Sequence, residues 1–262
     1  MATELHPTAI IDPKASIGEG VTVGAYSIIG PGVVLGDNVR VHPHVVIERD
    51  SELGEGCEVF PFASIGTAPQ DLKYTPERIT GVRIGPRSII HECATVHRAS
   101  LGGDGLTELG AECFLMAYAH VAHDCKLGNN VIMANGATLA GHVTIGEHAF
   151  ISGLVVIHQF IRIGTQVMIG GMSRIVKDAP PYSIVQGADA VKFYGVNRIG
   201  LERRGFSPDT MKEIERAYGI ISKRGMLLSE ALRTVQEELP YSDEVRTIVE
   251  FFSTSGKRGT YR

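Results

Sequence analysis

An aliphatic residue at every sixth position is the feature that most constrains this chain. From Ile11 to Ile65 the period has no exception. Its positions are Ile11, Ile17, Val23, Ile29, Leu35, Val41, Ile47, Leu53, Val59 and Ile65. A period of six is neither that of a helix nor that of an ordinary strand, so it indicates a short strand followed by a corner. A small or β-branched residue such as Ala9 often stands two places earlier, and a glycine such as Gly18 often follows, where we expect an unusual φ.

The same pattern returns twice further along the chain, which gives about 25 hexads in all. It resumes at Ile84, Ile90 and Val96, and then at Leu109, Leu115, Val121, Leu127, Met133, Leu139, Ile145, Ile151, Ile157, Ile163, Ile169 and Ile175. One inward aliphatic residue in each hexad is typical of a parallel β-helix. The predicted fold class is therefore an all-β solenoid plus α: a left-handed parallel β-helix of hexapeptide repeats with a C-terminal helical domain.

Composition narrows the function classes. A net charge of −4 over 262 residues makes no case for nucleic-acid binding. The sequence has neither an apolar run of membrane-spanning length nor a signal peptide at its start, so we expect no stable membrane insertion and a cytoplasmic location. Three of the four cysteines, Cys57, Cys113 and Cys125, occupy the small-residue slot of the hexad and are predicted to be packing residues rather than nucleophiles.

The hexads end after Ile175, where a segment with two prolines, 178–182, predicts a boundary. We assign residues 1–190 to the β-helix and 191–262 to a helical domain. Ser207 and Pro208 predict the start of a helix that ends near Gly225. Ser229 and Ser242 are predicted caps of two more helices. The tail from Asn197 holds twelve of the 25 lysines and arginines.

Two interruptions of the period predict loops that leave the coil. The first covers about 67–81, around Gln70, Asp71 and Lys73, and the second about 99–106, around the glycine-rich stretch 102–105. Loops that interrupt a regular solenoid often carry function.

Five histidines are predicted to line one edge of the solenoid. If three hexads close each coil, His97, His120, His123, His142 and His158 all fall in or just beyond hexads of the same face. They should then stack with the strand spacing of about 4.8 Å per coil. Such an edge suits acid/base chemistry, anion binding or a metal site, and the residues alone leave these three open.

Several segments together closely resemble the acyl-carrier-protein-dependent UDP-N-acetylglucosamine O-acyltransferases of lipid A biosynthesis. They are 70–74 (QDLKY), 95–98 (TVHR), 119–125 (AHVAHDC), 140–142 (AGH), 156–160 (VIHQF), 195–197 (GVN) and 203–206 (RRGF). The resemblance covers essentially the whole chain, including both loops and the tail.

The resemblance implies a direct acyl transfer from acyl-acyl carrier protein to the sugar's 3-hydroxyl. His123 would be the general base, Asp124 would orient it, and the backbone N–H of Gly141 would stabilise the oxyanion. The resemblance implies no covalent acyl-enzyme, no bound cofactor and no metal. The acyl donor is carried on the phosphopantetheine of the carrier protein.

The resemblance also implies the binding residues and the assembly. The sugar, diphosphate and acyl pocket would be lined by Gln70, Asp71, Lys73, His97, His120, His142, His158 and Gln159. Asn197, Arg203 and Arg204 would hold the nucleotide, and Gly171 stands where the family limits acyl length. The implied partners are acyl carrier protein, received by basic residues of the tail, and UDP-N-acetylglucosamine. A homotrimer with active sites between subunits is implied as well.

Two departures and several alternatives accompany this prediction. Ile199 replaces an acid that contacts the nucleotide in well-known members, and the linker 188–192 differs in length.

A related N-acyltransferase would carry an additional N-terminal domain, whereas these hexads begin by Ala9. A γ-type carbonic anhydrase would need zinc ligands at a spacing that His120 and His123 do not match. A non-catalytic solenoid would need no histidine-lined edge. The sequence leaves open whether the acceptor group on the sugar is a 3-hydroxyl or a 3-amino group.

Overall fold

The computed structural model describes residues 2–76, 79–100, 103–254, 256 and 258–262. Most of the chain forms a three-sided prism of short parallel strands, followed by four helices. The strands are β1 (Glu4–Leu5), β2 (Ile10–Ile11), β3 (Ser16–Ile17), β4 (Thr22–Val23), β5 (Ile28–Ile29), β6 (Val34–Leu35), β7 (Arg40–Val41), β8 (Val46–Ile47), β9 (Ser51–Leu53), β10 (Glu58–Val59), β11 (Ser64–Thr67), β12 (Gly81–Ile84), β13 (Ile89–Ile90), β14 (Thr95–His97), β15 (Leu106–Leu109), β16 (Phe114–Leu115), β17 (His120–Val121), β18 (Lys126–Leu127), β19 (Ile132–Met133), β20 (Thr138–Leu139), β21 (Thr144–Ile145), β22 (Phe150–Ile151), β23 (Val156–Ile157), β24 (Arg162–Ile163), β25 (Met168–Ile169), β26 (Arg174–Ile175), β27 (Ser183–Gln186) and β28 (Lys192–Val196).

Every third strand of the prism belongs to the same sheet, so three hexads close one coil as predicted. Face A is an 11-stranded sheet that starts with β1 and β4 and ends with β27 and β28. Face B runs from β2 to β26 with nine strands, and face C from β3 to β24 with eight. The parallel β-helix predicted from the hexads is therefore the observed architecture.

The aliphatic residue of each hexad points inward and stacks on its equivalent in the next coil. On face B, Ile29 pairs with Ile47, Ile47 with Ile65 and Ile65 with Val96, and none of these side chains is more than 1% exposed. Burial of such a side chain contributes about 1.5–3 kcal/mol relative to leaving it in water. The repeated aliphatic position is thus a continuous core along the prism axis.

The glycines that follow the core residues are explained by close packing of coils, not by an unusual φ. A Cβ atom on Gly24 would lie 2.5 Å from the backbone nitrogen of Pro43 in the next coil. The positive φ falls two positions later, on residues such as Tyr26 (59°) and His44 (62°). The expectation that glycine supplies the unusual φ at these corners is therefore wrong for most of them.

The three cysteines of the small-residue slot are buried packing residues, as predicted. Cys57, Cys113 and Cys125 are each 1% exposed or less. Burial raises the pKa of the Cys113 thiol to about 11 and that of Cys125 to about 12. Neither thiol is ionised near neutral pH, so neither offers a thiolate nucleophile.

The two interruptions leave the coil as loops close to the predicted bounds. The first joins β11 to β12 across 68–80, and the second joins β14 to β15 across 98–105; residues 77, 78, 101 and 102 lie outside the described residues. The buried Arg98 guanidinium fixes the start of the second loop to the preceding coils, because it donates to the Gly66 carbonyl of β11 (2.6 Å) and to the Glu48 carboxylate (2.5 Å). Such a charge-assisted contact stabilises more than a neutral hydrogen bond does.

Four helices follow the last coil: α1 (Arg198–Arg203), α2 (Pro208–Ile221), α3 (Leu228–Glu238) and α4 (Asp243–Ser253). Ser207 and Ser242 cap α2 and α4 as predicted, because their side chains accept from Thr210 and Val245 N–H groups. The predicted cap at Ser229 is wrong. Helix α3 already begins at Leu228, so Ser229 lies in its first turn. Helix α1 and strand β28 were not predicted.

The helices pack on one another and on the end of the prism. Their core includes Ile214, Tyr218 and Phe252, each at most 3% exposed. Arg162 of β24 links the two parts, since it pairs with Asp178 (2.8 Å) and donates to the Phe251 carbonyl (3.0 Å). Strand β28 continues face A beyond residue 190, and the division at 190 stays a prediction. Among the described residues, no helix is long and apolar enough to cross a bilayer.

Two glycine substitutions should change stability in opposite directions. Gly24→Ala should destabilise the protein by about 1–3 kcal/mol, because its Cβ meets the backbone of the next coil. Gly219→Ala, in α2 with nothing within 4 Å of its Cβ, should stabilise by about 0.5–1 kcal/mol. Denaturant unfolding of both variants beside the parent tests this, and a Gly24→Ala protein as stable as the parent would contradict the packing explanation.

Candidate active site

The centre of the site is the corner between faces B and C, just after β17. His123 and Asp124 form the two-residue turn there, and Asp124 has a φ of 58°. Aspartate tolerates this left-handed conformation better than most residues. The His123 Nδ1 atom lies 2.7 Å from Asp124 Oδ2. The repeat itself thus places an imidazole and a carboxylate side by side at one corner.

Asp124 is held firmly and remains charged. Its side chain is buried, and Oδ2 also accepts a hydrogen bond from the Ser100 N–H (3.0 Å), while its own N–H donates to Thr107 Oγ1 (2.9 Å). Burial alone would raise the pKa of Asp124, but the hydrogen bonds from His123 and Ser100 outweigh it and the pKa lies below its ordinary value. A carboxylate accepts, so it assigns the proton of His123 to Nδ1 and leaves Nε2 free to act as a base.

Gly141 lies against the ring of His123 from the next coil. A Cβ atom there would be 2.4 Å from Cε1 and 2.6 Å from Nε2 of His123, so a side chain at this position would displace the imidazole. The Gly141 N–H donates no hydrogen bond within the described residues. Proline fills the same turn position in other coils, for example at Pro43 and Pro61, so the fold does not need this N–H. The Gly141 N–H is therefore available to donate a hydrogen bond to a ligand oxygen beside His123.

His97 and His120 extend the same edge as neutral groups. The His97 ring meets the His120 ring edge-on with centroids 4.8 Å apart. Burial, with a smaller contribution from His120, lowers the pKa of His97 to about 4. Burial also lowers the pKa of His120, whose Nδ1 pairs with Thr95 Oγ1 at 2.7 Å. Near neutral pH both rings are therefore hydrogen-bonding groups rather than cations.

His142 and His158 complete the row of five histidines that we call the histidine edge. The His142 ring meets His123 edge-on (5.2 Å) and stacks on Phe160 (4.6 Å), a contact that the sequence did not reveal. His158 is half-buried and its Nδ1 lies 3.2 Å from the Gln159 carbonyl oxygen. The predicted grouping is thus observed as ring contacts between His97 and His120 and between His123 and His142. His158 follows β23 on the same face, and Phe160 extends the group.

The first loop reaches this corner through Asp71. Asp71 Oδ2 accepts from Ser100 Oγ (2.6 Å), and this bond is the main reason that the pKa of Asp71 lies below its ordinary value. Ser100, from the second loop, therefore bonds both Asp71 and Asp124. Sequence reasoning missed it because only its position in the folded loop distinguishes it from other serines. Gln70 and Lys73 are exposed on the same loop.

The predicted nucleotide residues lie elsewhere on the prism. Asn197, Arg203 and Arg204 line a cavity on face A, which we call the arginine cavity. Face A lies opposite the corner between faces B and C. Gly171 is exposed at a third place, the corner between faces A and B. Within one chain, the structure does not bring these residues to the histidine edge.

The same corner also has the donor atoms of a metal site. His123, Asp124 and His142 each offer one ligand atom, and these atoms lie within 4.8 Å of one another. Two imidazoles and a carboxylate are ligands that zinc accepts. The corner therefore has the groups for general-base catalysis and also the donor atoms for binding a transition metal.

Comparison with known proteins shows the family to which this chain is related. The family model for UDP-N-acetylglucosamine O-acyltransferase, domain 2, matches residues 178–261, and the bacterial transferase hexapeptide model matches 2–36 and 107–141. An acyl-[acyl-carrier-protein]–UDP-N-acetylglucosamine O-acyltransferase of Thermodesulfovibrio yellowstonii is 50% identical over 259 residues, 99% of each chain. One from Herminiimonas arsenicoxydans is 44% identical over 94% of this chain and 96% of its own.

Solved structures agree. A UDP-N-acetylglucosamine acyltransferase from Bacteroides fragilis has a TM-score of 0.94 and 41% identity, covering 98% of this chain and 99% of its own. These neighbours confirm that the β-helix is left-handed. Fold and site define an acyltransferase of the hexapeptide-repeat class. More particularly, the chain belongs to the UDP-N-acetylglucosamine O-acyltransferase family, which confirms the resemblance drawn from its motifs.

His123→Ala should abolish most of the acyl transfer while the protein stays folded. Loss of a general base costs about 10²–10⁴-fold in rate. Cys125→Ala is the matched control two residues away: its buried, protonated thiol takes no part, so turnover should stay within about twofold. Steady-state kinetics with circular dichroism of each variant checks this, and near-normal turnover by His123→Ala would refute the assignment.

The charge of Asp124 should also appear in the pH dependence of stability. Because its folded pKa is depressed, its ionised form stabilises the protein above the unfolded pKa of about 3.9. This contribution is lost as pH falls through the folded pKa. Asp124→Asn should therefore be less stable than the parent at pH 7, with a gap that narrows below about pH 4. Denaturant midpoints across pH 3–7 measure it, and a gap independent of pH would contradict it.

Proposed function

We propose that this protein transfers a 3-hydroxyacyl chain from acyl-acyl carrier protein to the 3-hydroxyl of UDP-N-acetylglucosamine, the first step of lipid A biosynthesis. The observation that carries the proposal is the corner where His123, paired with the Asp124 carboxylate, lies against the unused N–H of Gly141. The names of relatives that match nearly the whole chain support the substrates.

The reaction begins at His123 Nε2, which takes the proton of the sugar's 3-hydroxyl as its oxygen attacks the thioester carbonyl carbon. Asp124 stabilises the imidazolium that results, because its carboxylate already accepts from Nδ1 (2.7 Å). The Gly141 N–H donates to the carbonyl oxygen as it gains negative charge. When the tetrahedral intermediate collapses, the carbon–sulfur bond breaks and Nε2–H returns the proton to the leaving thiolate.

Direct transfer fits the groups at the corner better than an acyl-enzyme does. The nearest thiol, Cys125, is buried, and its pKa of about 12 keeps it protonated. Its Sγ hydrogen-bonds to the Ala140 carbonyl oxygen (3.2 Å), so it faces the coil interior. The acyl group therefore stays on the carrier's phosphopantetheine until the sugar oxygen attacks, and no bound cofactor is required by this scheme.

A single active site needs parts of two chains in this proposal. The histidine edge and the arginine cavity lie on opposite sides of one prism. In one bound sugar nucleotide, however, the sugar must contact His123 while the diphosphate contacts Arg203 and Arg204. A neighbouring copy that turns its arginine cavity toward the histidine edge satisfies both. The family resemblance favours a homotrimer.

The surface of the prism supports such an assembly. An apolar ridge runs along the corner between faces A and B, formed by exposed residues of five coils, with His44, Cys93 and Gly136 at the same corner position in the coils between them. They are Tyr26 (62%), Phe62 (62%), Tyr118 (68%), Leu154 (62%) and Met172 (69%). Extended apolar surface of this kind is typical of protein interfaces. Gly171 lies in the same corner as Met172, so an acyl chain bound between copies would pass this glycine.

The proposal places the reaction in the cytoplasm with acyl carrier protein as the donor's partner. All four cysteines are free, which agrees with a reducing compartment. Several tail cations already pair with neighbouring acids, such as Arg198 with Glu215 and Arg246 with Asp243. Unpaired basic residues of the tail are better suited to receive the acidic carrier, and their effect should weaken with salt.

Acyl transfer by the purified protein tests the proposal directly. We expect an ester product from 3-hydroxyacyl-acyl carrier protein and UDP-N-acetylglucosamine, with a preferred chain length that reports the space beside Gly171. The 3-amino sugar nucleotide, run in parallel, distinguishes the acceptors. Product with the amino acceptor alone would change the substrate and keep the mechanism, and no product with either acceptor would overturn the proposal.

A further inference from the structure

The arginine cavity has a shape and lining that suit more than a diphosphate. It encloses about 640 Å³ on face A, under helix α1. Phe150, Met168 and Ile199 form an apolar wall, while Arg203 and Arg204 supply positive charge at the helix. An apolar wall beside two guanidinium groups is suited to a flat base joined to phosphate groups. The neutral polar groups of the cavity then determine which base is accepted.

Asn197 lines this cavity, but its side chain is already engaged in holding the fold. Its Oδ1 accepts from the Gly200 N–H (3.2 Å), which caps α1, and its Nδ2 donates to the Gln166 carbonyl (3.0 Å), which ties the helix to the prism. Each polar atom of the Asn197 side chain thus has a partner. Asn197 is therefore a positioning residue, which sets α1 and its two arginines above face A.

His148 and Gln166 also line the cavity and are not engaged in this way. Within the described residues, neither the imidazole of His148 nor the side-chain amide of Gln166 makes a hydrogen bond, and His148 Nδ1 is buried without a partner. A buried polar atom without a partner is costly, which makes such an atom unusual in a folded protein. No hydrogen bond holds the His148 ring. A rotation of the ring by 180° about its Cβ–Cγ bond therefore exchanges the positions of Nδ1 and Cδ2 without breaking a hydrogen bond.

The protonation state of His148 suits recognition of a neutral group. Burial lowers the pKa of His148, and the Arg204 guanidinium lowers it further, against smaller opposing effects of Glu147 and Glu112. The neutral ring offers one donor and one acceptor. The amide of Gln166 offers a donor and an acceptor side by side.

We propose that His148 and Gln166 read the nucleobase of the sugar nucleotide in the arginine cavity. The inference rests on the proposed function and adds two specificity residues to it. Uracil presents a carbonyl, an N–H and a second carbonyl along one edge. The Gln166 amide pairs with one carbonyl and the N–H, and the His148 N–H donates to the remaining carbonyl. The apolar wall packs against the face of the ring.

Binding of UDP and of pyrophosphate to the parent and to His148→Phe and Gln166→Met tests the inference. Both substitutions keep side-chain size and remove the hydrogen-bonding groups. We expect each variant to bind UDP about tenfold more weakly, as the loss of a buried hydrogen bond predicts, with unchanged affinity for pyrophosphate. In turnover, KM for UDP-N-acetylglucosamine should rise by the same factor while kcat and the KM for the acyl donor stay unchanged. His148→Asn, which restores a polar group near Nδ1, should recover part of the affinity.

Controls separate this inference from the proposed function. His6→Phe, an exposed histidine in the first coil, should change neither constant. Unchanged UDP affinity in both cavity variants would overturn base reading, and so would an equal loss for UDP and pyrophosphate, since that would report a structural defect. If base reading fails in this way but the parent protein still acylates UDP-N-acetylglucosamine, the proposed function stands. If the parent protein neither binds nor acylates UDP-N-acetylglucosamine, the proposed function is refuted.

Discussion

The parallel register between coils is the constraint on which the rest of this molecule depends. Each coil hydrogen-bonds to the next at the strand spacing of about 4.8 Å, and residues at equivalent hexad positions pair directly, as Ile47 does with Ile65. A shift of one residue would move every core aliphatic side chain to the outside. The register therefore determines the core, and it also determines which polar residues of distant hexads lie side by side.

The active corner follows from that register together with the two loops. His120 and His123 belong to one coil and His142 to the next, so the repeat alone brings their rings together. Besides His123, the repeat supplies no hydrogen-bond donor to the Asp124 carboxylate among the described residues. Ser100 supplies a second donor, and it comes from a loop that leaves the coil. The regular part of the chain thus places His123, the proposed base, and the irregular part stabilises the Asp124 charge that orients it.

Sequence reasoning was most successful where the hexad period holds. The core positions, the histidine edge and the packing cysteines all follow from it, because each is a matter of register. It failed where tertiary contacts decide: Ser100 is identified only by the folded loop, Phe160 by its stacking on His142, and His148 by the unpartnered nitrogen in its cavity. The cap at Ser229 failed because the α3 helix is capped two residues earlier, at Leu227, whose N–H donates to the Glu230 carboxylate.

The same rigidity that positions the histidine edge prevents one chain from bringing its own arginine cavity to that edge, as the proposed site requires. Neighbouring coils are joined by backbone hydrogen bonds on all three faces, so face A cannot turn toward the opposite corner without breaking the ladder. The hexads in turn leave an apolar ridge from Tyr26 to Met172 at the corner between faces A and B. In the proposed assembly, a neighbouring copy supplies the arginine cavity that one rigid prism cannot turn toward its own histidine edge, and the contact between copies buries the ridge. The proposed assembly and the proposed reaction would then depend on the same repeat, so a substitution that disturbs one coil would affect both.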